Sequence, residues 1–263
     1  MKAFIVTLYF PLFSLKQPLA FQVADTNLLP SPSSLRGALA KSLAYIHPNH
    51  FNGNDFQSLV ESWLRKVEEI VPFVTAKPKS CVIKGTVILS RLRTLEQRER
   101  KEPRDAMRRG ITFLYKLKAC FIVNERRAIE TLGSGALNKI WRALWIMDRI
   151  GDTESLIFVS DVSPPIDPKQ KIGSEGEVNT ITNIDFAGVL DNPIMDNMDL
   201  CFTYEATGKK IRRPRYSRTH FLPLSVKRVR KFIVYAPYTY KVKVRRGSIY
   251  QIRDLKVVAG ESL

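Results

Sequence analysis

Between residues 91 and 109 stand Arg91, Arg93, Arg98, Arg100, Lys101, Arg104, Arg108 and Arg109, interrupted by Glu96, Glu99, Glu102 and Asp105. Guanidinium groups make paired hydrogen bonds to phosphate oxygens and stack on exposed bases, so this cluster suits a polyphosphate ligand. The stretch lacks aromatic residues, which leaves base contact to the Arg planes or to Met107 acting as a wedge. A solvated, salt-bridged helix or a flexible loop is the plainer alternative. The run Lys209-Lys210-Ile211-Arg212-Arg213-Pro214-Arg215-Tyr216-Ser217-Arg218 is denser still, with Phe221, Tyr235, Tyr238 and Tyr240 nearby. Arg212, Arg213 and Arg215 beside those rings make the mixture that contacts single-stranded RNA, a flexible basic tail being the alternative.

Residues suited to catalysis are sparse. The sequence has no Walker loop, no G-x-G-x-x-G after a strand, no H-E-x-x-H and no G-x-S-x-G. Metal-independent RNA cleavage usually needs a base that titrates near neutrality, and the candidates are His47, His50 and His220. His47 and His50 sit in a His-Pro-Asn-His turn, where a capping or surface role is the simpler reading. Asp185, Asp191, Asp196 and Asp199 match no calcium loop. Cys81, Cys120 and Cys201 are odd in number and far apart, which supports neither a disulfide framework nor a thiolate metal site. The expectation is a chain without cofactor or metal, in the reducing cytoplasm.

The elements that would position these groups follow from hydrophobic spacing. The chain has 263 residues, enough for two modest units, and 44% hydrophobic residues argue against disorder. Its formal net charge of +17 favours a nucleic acid as partner over an anionic membrane surface. Lys2 to Phe10 reads as a buried first strand rather than a signal peptide, and no apolar run is long enough for a membrane span. A helix capped by Ser33 or Ser34 carries Leu35, Leu39, Leu43 and Ile46; a second covers Asp55 to Ile70. Strands leading from Cys81 to Leu89 and from Ile111 to Val123 bracket the basic excursion, and a third helix follows Gly133-Ser134-Gly135. Leu156 to Val159 makes a further strand. The order predicts an α+β fold, an RRM-like or ferredoxin-like antiparallel sheet with helices on one face, over residues 1–160. Asp152 to Leu200 holds ten acids and two bases, whereas Glu205 to Lys256 holds sixteen bases and two acids. Residues 161–200 therefore read as an acidic irregular linker, and 201–263 as a smaller, basic, β-rich C-terminal region.

Three segments in register carry a resemblance: Leu29-Pro30-Ser31-Pro32-Ser33-Ser34-Leu35-Arg36-Gly37-Ala38-Leu39-Ala40, Asp105-Ala106-Met107-Arg108-Arg109-Gly110-Ile111-Thr112-Phe113, and Ile150-Gly151-Asp152-Thr153-Glu154-Ser155. Together they resemble the CRISPR-associated "Cas five" family of the RAMP superfamily, nearest to the form found in archaeal type I-A Cascade complexes. The resemblance implies an RRM-like first domain with an arginine-rich thumb at about residues 89–110. It implies a non-catalytic subunit that binds the 5′ handle of the crRNA and caps the backbone of "Cas seven" subunits beside the large subunit, in antiviral defence. Target DNA is a further partner to consider. Arg36 and Gly37 would lie against the RNA, Gly37 letting backbone approach closely or serving tight helix packing. Two rivals are a processing endoribonuclease that uses His47 or His50, and a general RNA-binding protein without handle preference.

Overall fold

The computed structural model describes residues 1–15, 25–47, 56–92, 104–151, 155–168, 170–202 and 214–260. In chain order, β1 (Lys2–Phe13), α1 (Pro32–Ile46), α2 (Phe56–Ile70), β2 (Phe73–Pro78), β3 (Val82–Leu92) and β4 (Arg104–Val123) come first. Then follow α3 (Glu125–Leu132), α4 (Ala136–Trp145), β5 (Phe158–Val162), β6 (Gln170–Gly173), β7 (Glu175–Val178), β8 (Thr182–Asn183) and β9 (Ala187–Val189). The chain continues through β10 (Ile194–Phe202), β11 (Pro214–Leu222), β12 (Leu224–Val229), β13 (Phe232–Pro237), β14 (Tyr240–Val244), β15 (Ser248–Ile252) and β16 (Leu255–Ala259). It is a sheet-rich α+β molecule whose strand pairs are antiparallel.

The main sheet runs β12-β13-β3-β4-β1-β5, and β4 organises it. Along one edge β4 pairs with β1; along the other it pairs first with β3, from Leu92↔Arg104 to Val82↔Leu114, and then with β2, from Pro78↔Leu117 to Phe73↔Ile122. Alternation along β1 sorts its side chains. Phe4, Val6, Leu8 and Phe10 enter the main core, while Ala3 and Ile5 face the opposite side. That core takes Leu35, Leu39 and Leu43 from α1, Trp63, Val67 and Ile70 from α2, and Ile140 and Leu144 from α4, so the helices cover one face. A fully buried side chain of this size contributes about 1.5–3 kcal/mol by leaving water.

Ser31, not Ser33 or Ser34, caps α1: its Oγ accepts a hydrogen bond from the Ser34 amide at 3.1 Å. Pro32 is the reason, because proline suits the first helical position and holds the residue before it extended, as a cap must be. Within residues 1–160 two elements lay outside the sequence reading. β2 is six residues long and bounded by Pro72 and Pro78, which read as breakers. α3 starts directly after β4, where the Asn124 side chain accepts from the Arg127 amide at 3.2 Å.

Residues 161–200, expected to be irregular, instead contain β6 to β10. These strands are mostly two to four residues long, below the window in which alternation can be recognised. Each is paired with the C-terminal strands, in the sheets β7-β14-β9, β16-β15-β6 and β10-β11-β8. The acidic and basic stretches thus interleave, with Lys256 Nζ 2.9 Å from Glu177 and Lys243 Nζ 3.4 Å from Glu175. The C-terminal region is not a separate layer either, since β12 and β13 extend the main sheet through Tyr235↔Val82.

On the sheet face away from the helices, Ile252, Leu255, Val257 and Ala259 pack over Ala3, Ile5, Cys120 and Ile122. Burial pushes the Cys120 thiol up to about 12, so it stays protonated and inert. No described helix is long and apolar enough to cross a membrane.

Candidate nucleic-acid interface

The last partner of β1 on β4 is Thr112, yet β3 and β4 go on pairing from Gly85↔Ile111 to Leu92↔Arg104. At about 3.4 Å per residue this two-stranded ribbon extends roughly 25 Å past the end of β1. It is the expected basic excursion, with strands longer than the hydrophobic runs alone had marked. Its backbone carries Arg91, Arg104, Met107, Arg108 and Arg109. Arg108 is exposed, and the residue opposite it, Ile88, is 68% exposed. Arg93, Arg98 and Arg100 lie outside the described residues.

The root of the ribbon is braced from two sides. Lys84 Nζ pairs with Asp25 at 2.8 Å, and the Thr112 hydroxyl donates to the Asn27 carbonyl at 2.9 Å. Asn27 and Leu15 are joined through their backbones, and Thr26 Oγ1 accepts from the Leu15 amide, so the segment before α1 is stitched to both β1 and β4. On the other side Arg109 Nε donates to Ser14 Oγ at 3.2 Å, over a cleft of about 140 Å³ lined by Phe13, Val87, Ile111 and Ser155. The Arg109 guanidinium is therefore held at the base of the ribbon while Arg108 faces solvent.

The second basic run roots beside the first. β10 and β11 form another long ribbon, from Ile194↔Leu222 to Phe202↔Pro214, which leads into that run. Burial pushes the Asp196 carboxyl on β10 up, against hydrogen bonding from the Leu28 backbone and the nearby charge of Lys84. Lys84 thus stands near Asp25 of one brace and Asp196 of the other ribbon. Arg215 belongs to β11, and Arg212 and Arg213 lie outside the described residues.

Arg36 and Gly37 are elsewhere, on α1. Arg36 donates from Nε to the Val71 carbonyl at 2.9 Å and from a terminal nitrogen to Pro72, so it ties α1 to the end of α2. A Cβ on Gly37 would meet Leu64 at an ordinary 3.9 Å. His47 closes α1, its ring 5.6 Å from Trp63, and His220 is buried in β11 opposite Asp196; His50 lies outside the described residues. Sequence reasoning missed the braces Ser14, Asp25 and Asn27, since isolated polar residues before a helix carry no pattern.

No family model matches the sequence. An antiparallel α+β chain of this kind recurs in the crystal structure of a CRISPR protein from Archaeoglobus fulgidus, with a TM-score of 0.56 over 99% of both chains at 14% identity. A chain of a CRISPR RNA-guided surveillance complex aligns over 90% of this chain and 91% of its own, at 14% identity and a TM-score of 0.48, too low to bear on the fold. In sequence, the CRISPR-associated protein Cas5 of Methanocaldococcus jannaschii is 33% identical over 155 residues, 59% of this chain. The match spans 60% of that relative's length. Over that stretch the chain is similar to a Cas5 protein, and the resemblance to that family read from its residues is borne out, without regard to subtype.

Proposed function

We propose that this chain is the Cas five subunit of a type I Cascade surveillance complex, non-catalytic, and that it binds the 5′ handle of the crRNA with the β3–β4 ribbon as thumb. In this reading the sheet with its helical layer is an RRM-like platform. The chain caps the Cas seven backbone beside the large subunit, in the cytoplasm of an archaeal type I-A system. The observation that carries the reading is the ribbon itself, a basic two-stranded extension rooted in the sheet where the resemblance implies a thumb, with Arg108 presented to solvent. Neutralised phosphates would release counterions, and clamped guanidiniums would fix the strand's path. The placing of His47 against Trp63 and of His220 inside β11 supports a binding role over cleavage.

The test is the double variant Arg108→Ala/Arg109→Ala. It should bind handle RNA roughly tenfold or more weakly, since hydrogen bonds to charged groups are worth about 1.5–3 kcal/mol each. It should also fail to nucleate assembly in size-exclusion chromatography, with the wild-type circular dichroism retained. Unchanged assembly would remove the thumb assignment. Equal affinity for handle and scrambled RNA in the assembled complex would favour a general RNA-binding protein. Site-specific cleavage of repeat RNA in EDTA, lost on His47→Ala or His50→Ala, would favour the endoribonuclease.

A further inference from the structure

The sheet face opposite the helices is covered over only part of its area. β15 and β16 shield Ala3, Ile5, Cys120 and Ile122, and beyond them the face is open. On the open part stand Phe158 of β5, Tyr9 of β1, and Phe113 and Tyr115 of β4, the last opposite neither β1 nor β3 partner in register. The register shift explains this gathering. Tyr9 pairs with Lys116 and Phe10 with Leu114, so Tyr115 is an extra residue. Leu114 and Leu117 both point into the core, which leaves Tyr115 and Lys116 together on the other side.

The result is a row of rings across three neighbouring strands. Tyr9 and Tyr115 have centroids 5.0 Å apart, and Tyr9 and Phe158 6.4 Å apart. Phe158 is 65% exposed, Tyr115 59% and Phe113 46%, with Ile83 beside Phe113 across the β3–β4 pair. A contiguous patch of exposed rings on a folded surface marks an interaction site. Lysines frame the row: Lys116 Nζ lies 5.3 Å from the Tyr9 centroid, and Lys77, Lys79 and Lys118 converge on the single carboxylate of Asp254. Among the described residues the acids on this border are Asp254 and, at the β5 edge, Asp161. Protein interfaces are depleted in lysine at their centres, whereas rings bordered by cations form the stacking platform of single-stranded nucleic acids.

We propose that Phe158, Tyr9, Tyr115 and Phe113 form a second RNA contact surface, on which successive bases of a single strand stack while Lys116, Lys118 and Lys79 meet its phosphates. This surface rests on the proposed function only in taking the ligand to be RNA; it does not use the ribbon. The probe is a fluorescein-labelled, mixed-sequence 12-nucleotide single-stranded RNA, measured by anisotropy with the full chain. Tyr115→Ala/Phe158→Ala should weaken binding about tenfold or more, as expected for loss of base stacking, without changing the salt slope. Tyr115→Phe/Phe158→Tyr should bind like wild type, and an abasic oligonucleotide should not distinguish the alanine variant from wild type. The Arg108→Ala/Arg109→Ala variant would lower both affinity and slope, so either surface can fail alone. Unchanged affinity in a folded alanine variant overturns the proposal, as does loss of a protein subunit with oligonucleotide affinity retained. Should the alanine variant not fold, 4-thiouridine crosslinking on the wild-type chain decides: adducts on the peptides holding Tyr115 or Phe158 support it, and adducts confined to other peptides overturn it.

Discussion

Two glycines show how local backbone geometry separates structural from functional roles. Gly247 holds φ at 93°, and an added Cβ would collide with the Ala259 carbonyl, so this turn between β14 and β15 admits no side chain. Gly247→Ala should cost about 1–3 kcal/mol, the range for strained backbone, and lower the Tm by several degrees in a thermal melt. Gly37 is the opposite case. It lies inside α1 at ordinary helical geometry with room for a Cβ, and Gly inside a helix costs roughly 1 kcal/mol relative to Ala. Gly37→Ala should therefore raise the Tm, and if guide RNA runs over α1 as the resemblance implies, affinity should fall in the same protein by anisotropy. Higher stability with unchanged affinity would assign Gly37 to helix packing alone. Its neighbour Arg36 was legible as a cation but not as a tie between helices, because its carbonyl partners are 35 and 36 residues away.

At the level of elements, the sequence was readable where a run of Val, Ile and Leu was long enough to alternate. β1, β3, β4 and both long helices follow from that, and so does the place of the ribbon between β3 and β4. In the C-terminal half only the β character that became β13 and β14 was readable in this way, since most of the other strands are short and take their partners from distant segments. The docking of β15 and β16 illustrates the point, for it turns on Asp254 at their connecting turn. Burial alone would raise that carboxyl, but hydrogen bonds and charge from Lys118 and Lys79 more than reverse it and hold it well below the usual range. A carboxyl depressed in the folded state contributes stability that is complete above its unfolded value, about 3.8, and is lost as the pH falls towards the folded value. Protection factors for amides of Ser248–Ile252 and Leu255–Ala259 should accordingly drop below about pH 4, ahead of those in β1. Equal loss in both sheets would mean that Asp254 does not govern the docking.

For the molecule as a whole, the formal charge of +17 acts through a Debye length of about 8 Å at physiological salt, so it draws polyanions in without choosing among them. RNA affinity should fall steeply between 50 and 200 mM salt, with a log–log slope of roughly 0.7 for each phosphate neutralised. Removing Arg108 and Arg109, two phosphate contacts, should reduce that slope by about 1.4, whereas removing rings from the sheet should not. The sequence had shown the imbalance between an acidic and a basic stretch, but a linear reading set them side by side. In space they are laced together, β7 against β14 and β6 against β15, and the pairs Lys243–Glu175 and Lys256–Glu177 neutralise part of each.

β4 runs for twenty residues, from Arg104 opposite Leu92 at the outer end of the ribbon to Val123 in the core. Mechanically it is a cantilever, clamped between β1 and β2 at one end and loaded at the other. A load at the free end is resisted at the wall, so bending of the ribbon would be felt first around Thr112, where β1 joins β4 and the Asn27 carbonyl takes up the Thr112 hydroxyl.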